Sequence, residues 1–257
     1  MVSHLPLAAR RTFTIMNKIQ QAISSYNSRS QHPFSPKAVL FDMDGVLYDS
    51  MPHHAIAWTE SMAKFGINMT KQDAYATEGA RGFDTVRAMA KREKGIDISE
   101  DKAREVYEEK SRIFHSMPDA PVFAGVKELM QKIAASGLSV NVVTGSAQRQ
   151  LIARLQDDFG EWLSPDHVTT AYDVTHGKPA PDPYLAGLRK AGGLQPWQGI
   201  VVENAPLGVH AGVAANVFTI AVNSGPLPDS ALANEGCDLL YPSIMELLAD
   251  WDAIVGA

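Results

Sequence analysis

Short apolar runs that end in polar residues constrain the fold of this 257-residue chain more than any other feature. The first run, Ala38–Phe41, stops at Asp42. Four later runs have a similar character, the second of them more weakly, and cover residues 138–143, 168–171, 199–202 and 217–222. Continuous apolar runs of this length are typical of strands that are buried on both faces of a parallel sheet.

Helical patterns separate these predicted strands. Residues 126–136 precede the second strand, residues 148–155 follow it, and residues 184–191 precede the fourth strand. Strands that alternate with helices at this spacing indicate a parallel α/β sheet with helices on its faces. We therefore expect an α/β fold with a doubly wound parallel-sheet core.

The segment 51–118 interrupts the alternation, because it shows helical periodicity and no strand pattern. Ser99 is followed by Glu100 and Asp101, an acidic start that suits a helix N-terminus. A helical insert after the first strand predicts a small cap domain. We expect the catalytic core to comprise residues 37–50 and 119–257.

Residues 1–36 differ from the rest of the chain in charge. The first 41 residues contain basic residues but neither Asp nor Glu, and serine and asparagine are frequent in 23–35. This composition is that of an organelle transit peptide, and a non-functional extension or a start at Met16 are the alternatives. We expect this extension to be disordered and to lie outside the fold.

Charge and composition limit the classes of partner that the protein can bind. The net charge of -6 disfavours a general nucleic-acid surface. The longest apolar runs are far shorter than the ~20 residues that span a bilayer. Cys237 is the only cysteine, so no intrachain disulfide forms. We expect a cytoplasmic monomer or weak dimer without nucleic-acid or membrane partners.

Polar residues follow the predicted strands at the points where the strands end. Parallel strands bring their carboxyl ends to one edge of the sheet, where ligands bind. Lys178 lies in a Gly-Lys-Pro-Ala-Pro loop, and we expect it to bring a cation to this edge. Three distant segments bring oxygen donors to the same edge, namely Asp42, Asp44, Thr144, Ser146, Glu203 and Asn204.

This set of side chains favours phosphoryl transfer with Mg²⁺. Clustered carboxylates repel one another and need a compensating cation, and oxygen ligands without a His or Cys cluster favour Mg²⁺ over Zn²⁺. A carboxylate nucleophile, a hydroxyl and a lysine beside Mg²⁺ neutralise a phosphoryl group in transfer. A calcium loop is disfavoured, because Val46 and Leu47 stand where that loop needs oxygen ligands.

Four segments, in order, resemble the motifs of the haloacid dehalogenase superfamily. They read FDMDGVL at 41–47, VTGS at 143–146, GKP at 177–179, and EN with a following glycine at 203–208. The chain looks most like the β-phosphoglucomutase-like phosphatases, over about residues 37–250. The resemblance implies a doubly wound core with a helical cap inserted after the first strand, in agreement with the pattern above.

The resemblance also implies catalytic roles for the matching residues. Asp42 attacks phosphorus and becomes the aspartyl-phosphate. Asp44 acts as general acid and then as the base that activates water. Thr144 and Lys178 hold and neutralise the transferring phosphoryl group, and Gly145 and its neighbour Ser146 are expected to bind substrate.

A Mg²⁺ cofactor is implied as well, with Asp42, Asp44, Glu203 and Asn204 as its site. The family usually has Asp where this chain has Asn204, and an amide oxygen ligates Mg²⁺ without adding charge. The departure implies either weaker metal binding or a substrate that brings its own charge and Mg²⁺.

Four cap residues are expected to choose the substrate. His54 and Lys110 match substrate-facing positions of the mutase-like branch, and Arg81 lies in what resembles the specificity loop. Glu78, in the same loop, would repel a bare sugar phosphate. A metal held by Glu78 would instead favour a small, highly charged substrate such as inorganic pyrophosphate.

We therefore expect a Mg²⁺-dependent phosphohydrolase that acts on a small phosphorylated metabolite through an aspartyl-phosphate. Three alternatives stay open: a β-phosphoglucomutase, an inorganic pyrophosphatase, and a catalytically inactive relative that binds or regulates. Dehalogenases and phosphonate-cleaving relatives are disfavoured, because they lack an acid at the position of Asp44.

Overall fold

The computed structural model describes the backbone of residues 7–146 and 149–256, and the side chains of 14–146 and 152–256. Its centre is a parallel sheet of six strands in the order β3-β2-β1-β4-β5-β6. The strands are β1 Ala38–Phe41, β2 Ser139–Val143, β3 Leu163–Thr169, β4 Gly199–Glu203, β5 Phe218–Val222 and β6 Leu239–Tyr241. The order reverses at β1, so the doubly wound fold class is confirmed.

Two strands differ from the sequence prediction, and both lie at an edge of the sheet. Strand β3 begins several residues before the predicted run, in a polar Ser-Pro-Asp-His stretch. Strand β6 has only three residues and was not predicted. Edge strands tolerate polar residues, Pro and short length, because one side of the strand pairs with no neighbour.

Helices cover both faces of the sheet. The helices outside the cap are α1 Leu7–Arg29, α6 Val126–Ala135, α7 Arg149–Phe159, α8 Asp182–Lys190, α9 Pro206–Ala214, α10 Asp229–Ala233 and α11 Ile244–Val255. Val39 and Phe41 pack with residues of α6, α7 and α11, whereas Leu40 packs with α8 and α9. The alternation follows from the two-residue period of a strand.

Helix α1, Leu7–Arg29, differs from the prediction that the N-terminal extension is disordered, and residues 1–6 lie outside the described residues. Ile19, Ile23 and Tyr26 are buried in the main hydrophobic core. The Tyr26 hydroxyl donates a hydrogen bond to the Asn216 carbonyl (2.8 Å), and Arg29 forms an ion pair with Asp238. The three apolar residues stand at i, i+4 and i+7, which places them on one helical face.

The cap consists of four helices between β1 and α6: α2 Met51–Lys64, α3 Lys71–Ala76, α4 Gly82–Lys94 and α5 Glu100–His115. They share a hydrophobic cluster of their own, which includes Trp58, Met62, Met89 and Val106. Ser99 accepts a hydrogen bond from the backbone N–H of Lys102 and caps α5. Within the described residues, no helix is long and apolar enough to cross a membrane.

Candidate active site

Asp42, Lys178 and Glu203 form the buried centre of the site, at the carboxyl ends of β1 and β4. Lys178 Nζ lies 2.5 Å from Asp42 Oδ1 and 2.6 Å from Glu203 Oε1, and it also donates to the Val143 carbonyl at 3.2 Å. All three charged side chains are almost completely buried. The lysine therefore lies between two carboxylates and compensates them in a place that water does not reach.

Both carboxylate oxygens of Glu203 accept hydrogen bonds from groups of the protein. Its Oε1 also accepts from the Tyr184 hydroxyl at 2.7 Å, and its Oε2 accepts from the backbone N–H groups of Asn204 and Ala205. A Cβ at Gly208 would lie 1.8 Å from Oε1, so only glycine fits there. Both oxygens therefore have protein donors in this structure, and Glu203 contacts Lys178 directly. The metal-ligand role of Glu203 stays a prediction.

Burial and the neighbouring charges act in opposite directions on the pKa values of Asp42 and Lys178. Burial raises the pKa of Asp42 to about 7, although the charge of Lys178 opposes the rise. Burial lowers the pKa of Lys178, but the nearby charges of Asp42 and Glu203 outweigh it and raise the pKa overall. Lys178 therefore stays protonated, and any further cation beside Asp42 would favour its carboxylate form.

Asp44 follows two residues after Asp42 and is held by a different set of residues. Ser50 Oγ donates to Asp44 Oδ1 at 2.6 Å, and His54 Nε2 lies 3.1 Å from the same oxygen. Burial opposes ionisation of Asp44, yet His54 and Ser50 lower its pKa to about 2. Asp44 is thus a carboxylate at neutral pH, the form that accepts a proton.

Lys110 extends this arrangement into the cap. Its ammonium lies 2.7 Å from His54 Nδ1, and because an ammonium only donates, Nδ1 accepts and Nε2 carries the hydrogen that faces Asp44. The ammonium lies 5.3 Å from the ring of Trp58 and 5.0 Å from that of Phe114. Burial lowers the pKa of Lys110 to about 8, against the charges of Asp44 and Glu78.

Glu78 reaches the site from the loop between α3 and α4. Its Oε2 accepts a hydrogen bond from Asn204 Nδ2 at 3.0 Å. Two further oxygens, Glu78 Oε1 and Asn204 Oδ1, are buried without a hydrogen-bond partner. Burial, together with the carboxylates of Asp42, Asp44 and Glu203, raises the pKa of Glu78 well above its usual value. Unsatisfied buried oxygens of this kind call for a cation or water.

The oxygen donors fit Mg²⁺. Across the residues whose side chains are described, no group of three or more His, Cys, Asp or Glu converges as a metal cluster. A metal would therefore be held by a mixed set, namely the Asp42 carboxylate, the unpartnered oxygens of Asn204 and Glu78 and, as the resemblance implies, the backbone carbonyl of Asp44. Gly45 has a φ of +81°, and a Cβ there would lie 2.0 Å from Asn204 Nδ2, so this glycine makes room for the amide.

The second motif forms the opposite wall of a small cavity. Thr144 is buried, and its Oγ1 accepts from the Ser146 backbone N–H at 3.0 Å. A Cβ at Gly145 would lie 3.0 Å from the Gly79 carbonyl, so the cap loop lies against this turn. The cavity between them has a volume of about 70 Å³ and is also lined by Asp42, Asp44, His54, Glu78 and Lys110.

Comparison with known proteins agrees with this geometry. The model of the family described as haloacid dehalogenase-like hydrolase matches residues 39–222, more than half of the chain. The chain belongs to this family. A solved structure from Bacteroides vulgatus, proposed to be a β-phosphoglucomutase, is 42% identical, with a TM-score of 0.89 over 93% of this chain and 98% of that one.

Curated relatives of this haloacid dehalogenase-like hydrolase are less similar. Hexitol phosphatase A of Escherichia coli strain K12 is 29% identical over 211 residues, which cover 82% of this chain and 93% of the relative. A β-phosphoglucomutase of Mycobacterium bovis is 30% identical over 245 residues, 84% of this chain and 93% of the relative. The protein is a phosphatase-type hydrolase of the haloacid dehalogenase superfamily.

Arg81 is the predicted substrate-binding residue that the structure of this hydrolase places elsewhere. Its Nε pairs with Asp84 (2.7 Å) and its Nη1 donates to the Thr175 carbonyl (2.6 Å). A Cβ at Gly177 would lie 2.6 Å from Arg81 Cγ. Arg81 therefore joins the start of α4 to the core loop that carries Lys178. Arg81 does not line the catalytic cavity in this structure, and its role in substrate binding stays a prediction.

Two functional residues of the hydrolase were not predicted. Ser50 carried a weak signal, since a serine directly before a helix is a common N-cap, yet its hydroxyl donates to Asp44 instead. Tyr184 carried no signal, because an aromatic residue in an apolar helical pattern is read as core. Its contact with Glu203 depends on the packing of α8 against the sheet.

Proposed function

We propose that the protein is a Mg²⁺-dependent phosphohydrolase that acts on a small phosphorylated metabolite through an aspartyl-phosphate. The observation that carries this proposal is the placement of two carboxylates in different states. Asp42 is buried and paired with Lys178, whereas Asp44, two residues later, is held as a carboxylate by Ser50 and His54. A nucleophile and a proton-transfer group are thus separated by environment.

Each residue has a defined part in the reaction. Asp42 attacks phosphorus, while Lys178 offsets the charge of the carboxylate and of the transferring group. The Thr144 hydroxyl and the backbone N–H at Gly145 bind the phosphoryl oxygens. Asp44, a carboxylate in the free site, takes the proton of the attacking water in the hydrolysis step and passes it to the leaving oxygen of the next substrate, and His54 with Lys110 orients it. Bound Mg²⁺ supplies positive charge to the phosphoryl oxygens.

Inorganic pyrophosphate is the second candidate substrate, and Glu78 favours it. The Glu78 side chain, bonded to Asn204, would hold a metal that comes with a highly charged substrate, and the charge of that metal would stabilise the carboxylate form of Glu78.

A phosphate-release screen tests both proposals. Purified protein is assayed with Mg²⁺ against pyrophosphate, sugar phosphates and nucleotides, with Asp42→Asn as the blank and EDTA as the metal control. Turnover that needs Mg²⁺ and Asp42 supports the phosphohydrolase, and a pyrophosphate rate far above the rest supports the second candidate. Isomerisation of a sugar phosphate without net phosphate release would show a mutase. Absence of turnover on every substrate would show an inactive relative.

A further inference from the structure

A second cavity, an open cleft of about 580 Å³, lies on the other side of Asp44, which belongs to the lining of both this cleft and the catalytic cavity. We call it the hinge cavity, because it lies between helix α7 and the two linkers that join the cap to the core. Its lining includes Tyr48 and Ser50 from the first linker, Ala120 from the second, and Ala153 from α7.

Helix α7 fixes both linkers in place around the hinge cavity. The Arg154 guanidinium donates to the Ala120 carbonyl at 2.5 Å and lies 4.2 Å from the Tyr48 ring. The Tyr48 hydroxyl donates to Asp158 Oδ2 at 2.9 Å. These contacts join one helix of the core to both connections of the cap, so the cavity is part of the built hinge.

The hinge cavity exists while the cap lies against the core. Glu78 bonds to Asn204, and Arg81 bonds to the Thr175 carbonyl, so the cap loop is in contact with the catalytic side. In this state the side chain of Asp44 is still 16% exposed, compared with 5% for Asp42. Asp44 is therefore the more accessible of the two carboxylates.

The walls of the hinge cavity also suit water. Arg154, Asp157, Asp119 and His115 contribute polar side chains to its lining. A roomy cavity with several polar partners holds water, whereas an apolar one of similar size stays dry. The cavity therefore offers a hydrated route to Asp44 that does not pass through the catalytic cavity.

We propose that the water that hydrolyses the aspartyl-phosphate reaches Asp44 through the hinge cavity while the cap stays closed. This inference rests on the proposed phosphohydrolase function. The water oxygen bonds to phosphorus as its proton passes to Asp44. The bond between phosphorus and the Asp42 oxygen breaks, its electron pair returns to the carboxylate, and inorganic phosphate forms. Cap closure then does not protect the phosphoenzyme from hydrolysis, whereas a mutase would require such protection.

Filling the cavity tests the route. Ala153 is exposed on α7 and lines the hinge cavity, so Ala153→Phe narrows it without disturbing the core. Ala134→Phe, on an exposed position of α6, is the matched control. His115→Trp fills the cavity from the α5 side. It provides a second test of the route if Ala153→Phe does not fold.

The measurement is the decay of the phosphoenzyme, formed from ³²P-labelled acetyl phosphate and followed by rapid quench. We expect about tenfold slower decay in Ala153→Phe or His115→Trp, with unchanged formation, and wild-type decay in Ala134→Phe. Equal decay rates in all four proteins, or formation slowed as much as decay, would overturn the route. A wild-type protein that forms no phosphoenzyme while it releases phosphate would overturn the aspartyl-phosphate function, and the route with it.

Discussion

The two halves of the active site are built differently. The core half consists of Asp42, Lys178 and Glu203, which are bonded to one another, almost fully buried, and carried by the sheet or by loops next to it. The cap half consists of residues that reach across from the inserted helices, chiefly Glu78 and Lys110, and both bear an unusual pKa because of burial. The core half is held by the sheet and the loops next to it, whereas the cap half is complete only when the cap is closed.

This difference indicates that the core residues carry out the reaction and that the cap residues control when the site is complete. Loss of a core residue removes a reacting group or leaves a buried charge uncompensated. Loss of a cap residue changes the fraction of time for which the site is closed. It also changes the affinity of the site for metal and substrate. The predictions below follow this order, from changes in the core to changes at the cap boundary.

Asp42→Asn gives the largest effect. The substitution is nearly isosteric and removes the nucleophile, so we expect phosphate release to fall at least about 10⁴-fold. Mg²⁺-dependent turnover is measured on the best substrate, and circular dichroism with thermal unfolding checks the fold. A well-folded variant that retained more than a few per cent of the activity would show that another residue attacks phosphorus.

Asp44→Asn is next. It removes the group that moves the proton but leaves Asp42 in place, and general acid–base catalysis contributes roughly 10²–10⁴-fold. The matched comparison is Ser50→Ala, which removes one hydrogen bond to Asp44 and keeps the carboxylate. We expect Ser50→Ala to reduce kcat by much less. A loss below tenfold for Asp44→Asn would mean that the proton moves through another group.

Lys110 predicts a pH dependence in the cap half. Burial lowers its pKa to about 8, so its charge is present below pH 8 and is lost as the pH rises through that value. His54 then loses its charged partner, and we expect kcat to fall on the alkaline side. Lys110→Met lowers kcat about tenfold at pH 7 through misplacement of His54 and Asp44.

Lys110→Arg is the control for this pH dependence. An arginine keeps its charge throughout the range, so the alkaline fall should move to higher pH if the variant positions His54 as the lysine does. An alkaline limb that is the same in the wild type and Lys110→Arg would assign the fall to a different group.

Substitutions of Asn204 and Glu78 test whether these two residues contribute to the metal site. Asn204→Asp adds one negative charge, so we expect it to lower the Mg²⁺ concentration for half-maximal activity several-fold. Glu78→Gln removes one negative charge, so it should raise the Mg²⁺ concentration for half-maximal activity. The three proteins are compared by Mg²⁺ titration of phosphate release at fixed substrate. Superimposable curves would place both residues outside the metal site.

Most site residues outside the cap could be predicted from the sequence. Asp42, Asp44, Thr144 and Lys178 each follow a strand or lie in a rigid loop, and the parallel sheet brings such positions to one edge. Asn204 was predicted there too, although its bond to Glu78 was not. Local pattern determines these positions, because the strands that carry them are short, buried and parallel.

The remaining features depend on packing that local pattern does not determine. Arg81 was expected in the cavity, but its direction is set by contact between the cap loop and Thr175. Helix α1 was expected to be disordered, because its composition hides the stripe of Ile19, Ile23 and Tyr26 that packs on the core. Glu203 was predicted to bind the metal, and only the structure shows that Tyr184 and two backbone N–H groups donate to its oxygens.

Arg81→Ala gives the smallest expected effect and tests the boundary between the two halves. Arg81 touches no residue of the core half, but its guanidinium joins α4 to the Thr175 carbonyl and pairs with Asp84 on the surface. A half-exposed hydrogen bond of this kind contributes about 1 kcal/mol, and a surface ion pair less.

Closure of the cap should become less favourable by that amount, so we expect KM to rise about two- to fivefold while kcat changes little. Asp84→Ala is the matched control, because it removes the ion pair and leaves the bond to Thr175, and it should have almost no effect. Steady-state kinetics of both variants on one substrate measure the difference. If kcat fell more than tenfold in Arg81→Ala alone, the arginine would act on the reacting group, and the cap would carry part of the chemistry as well as its control.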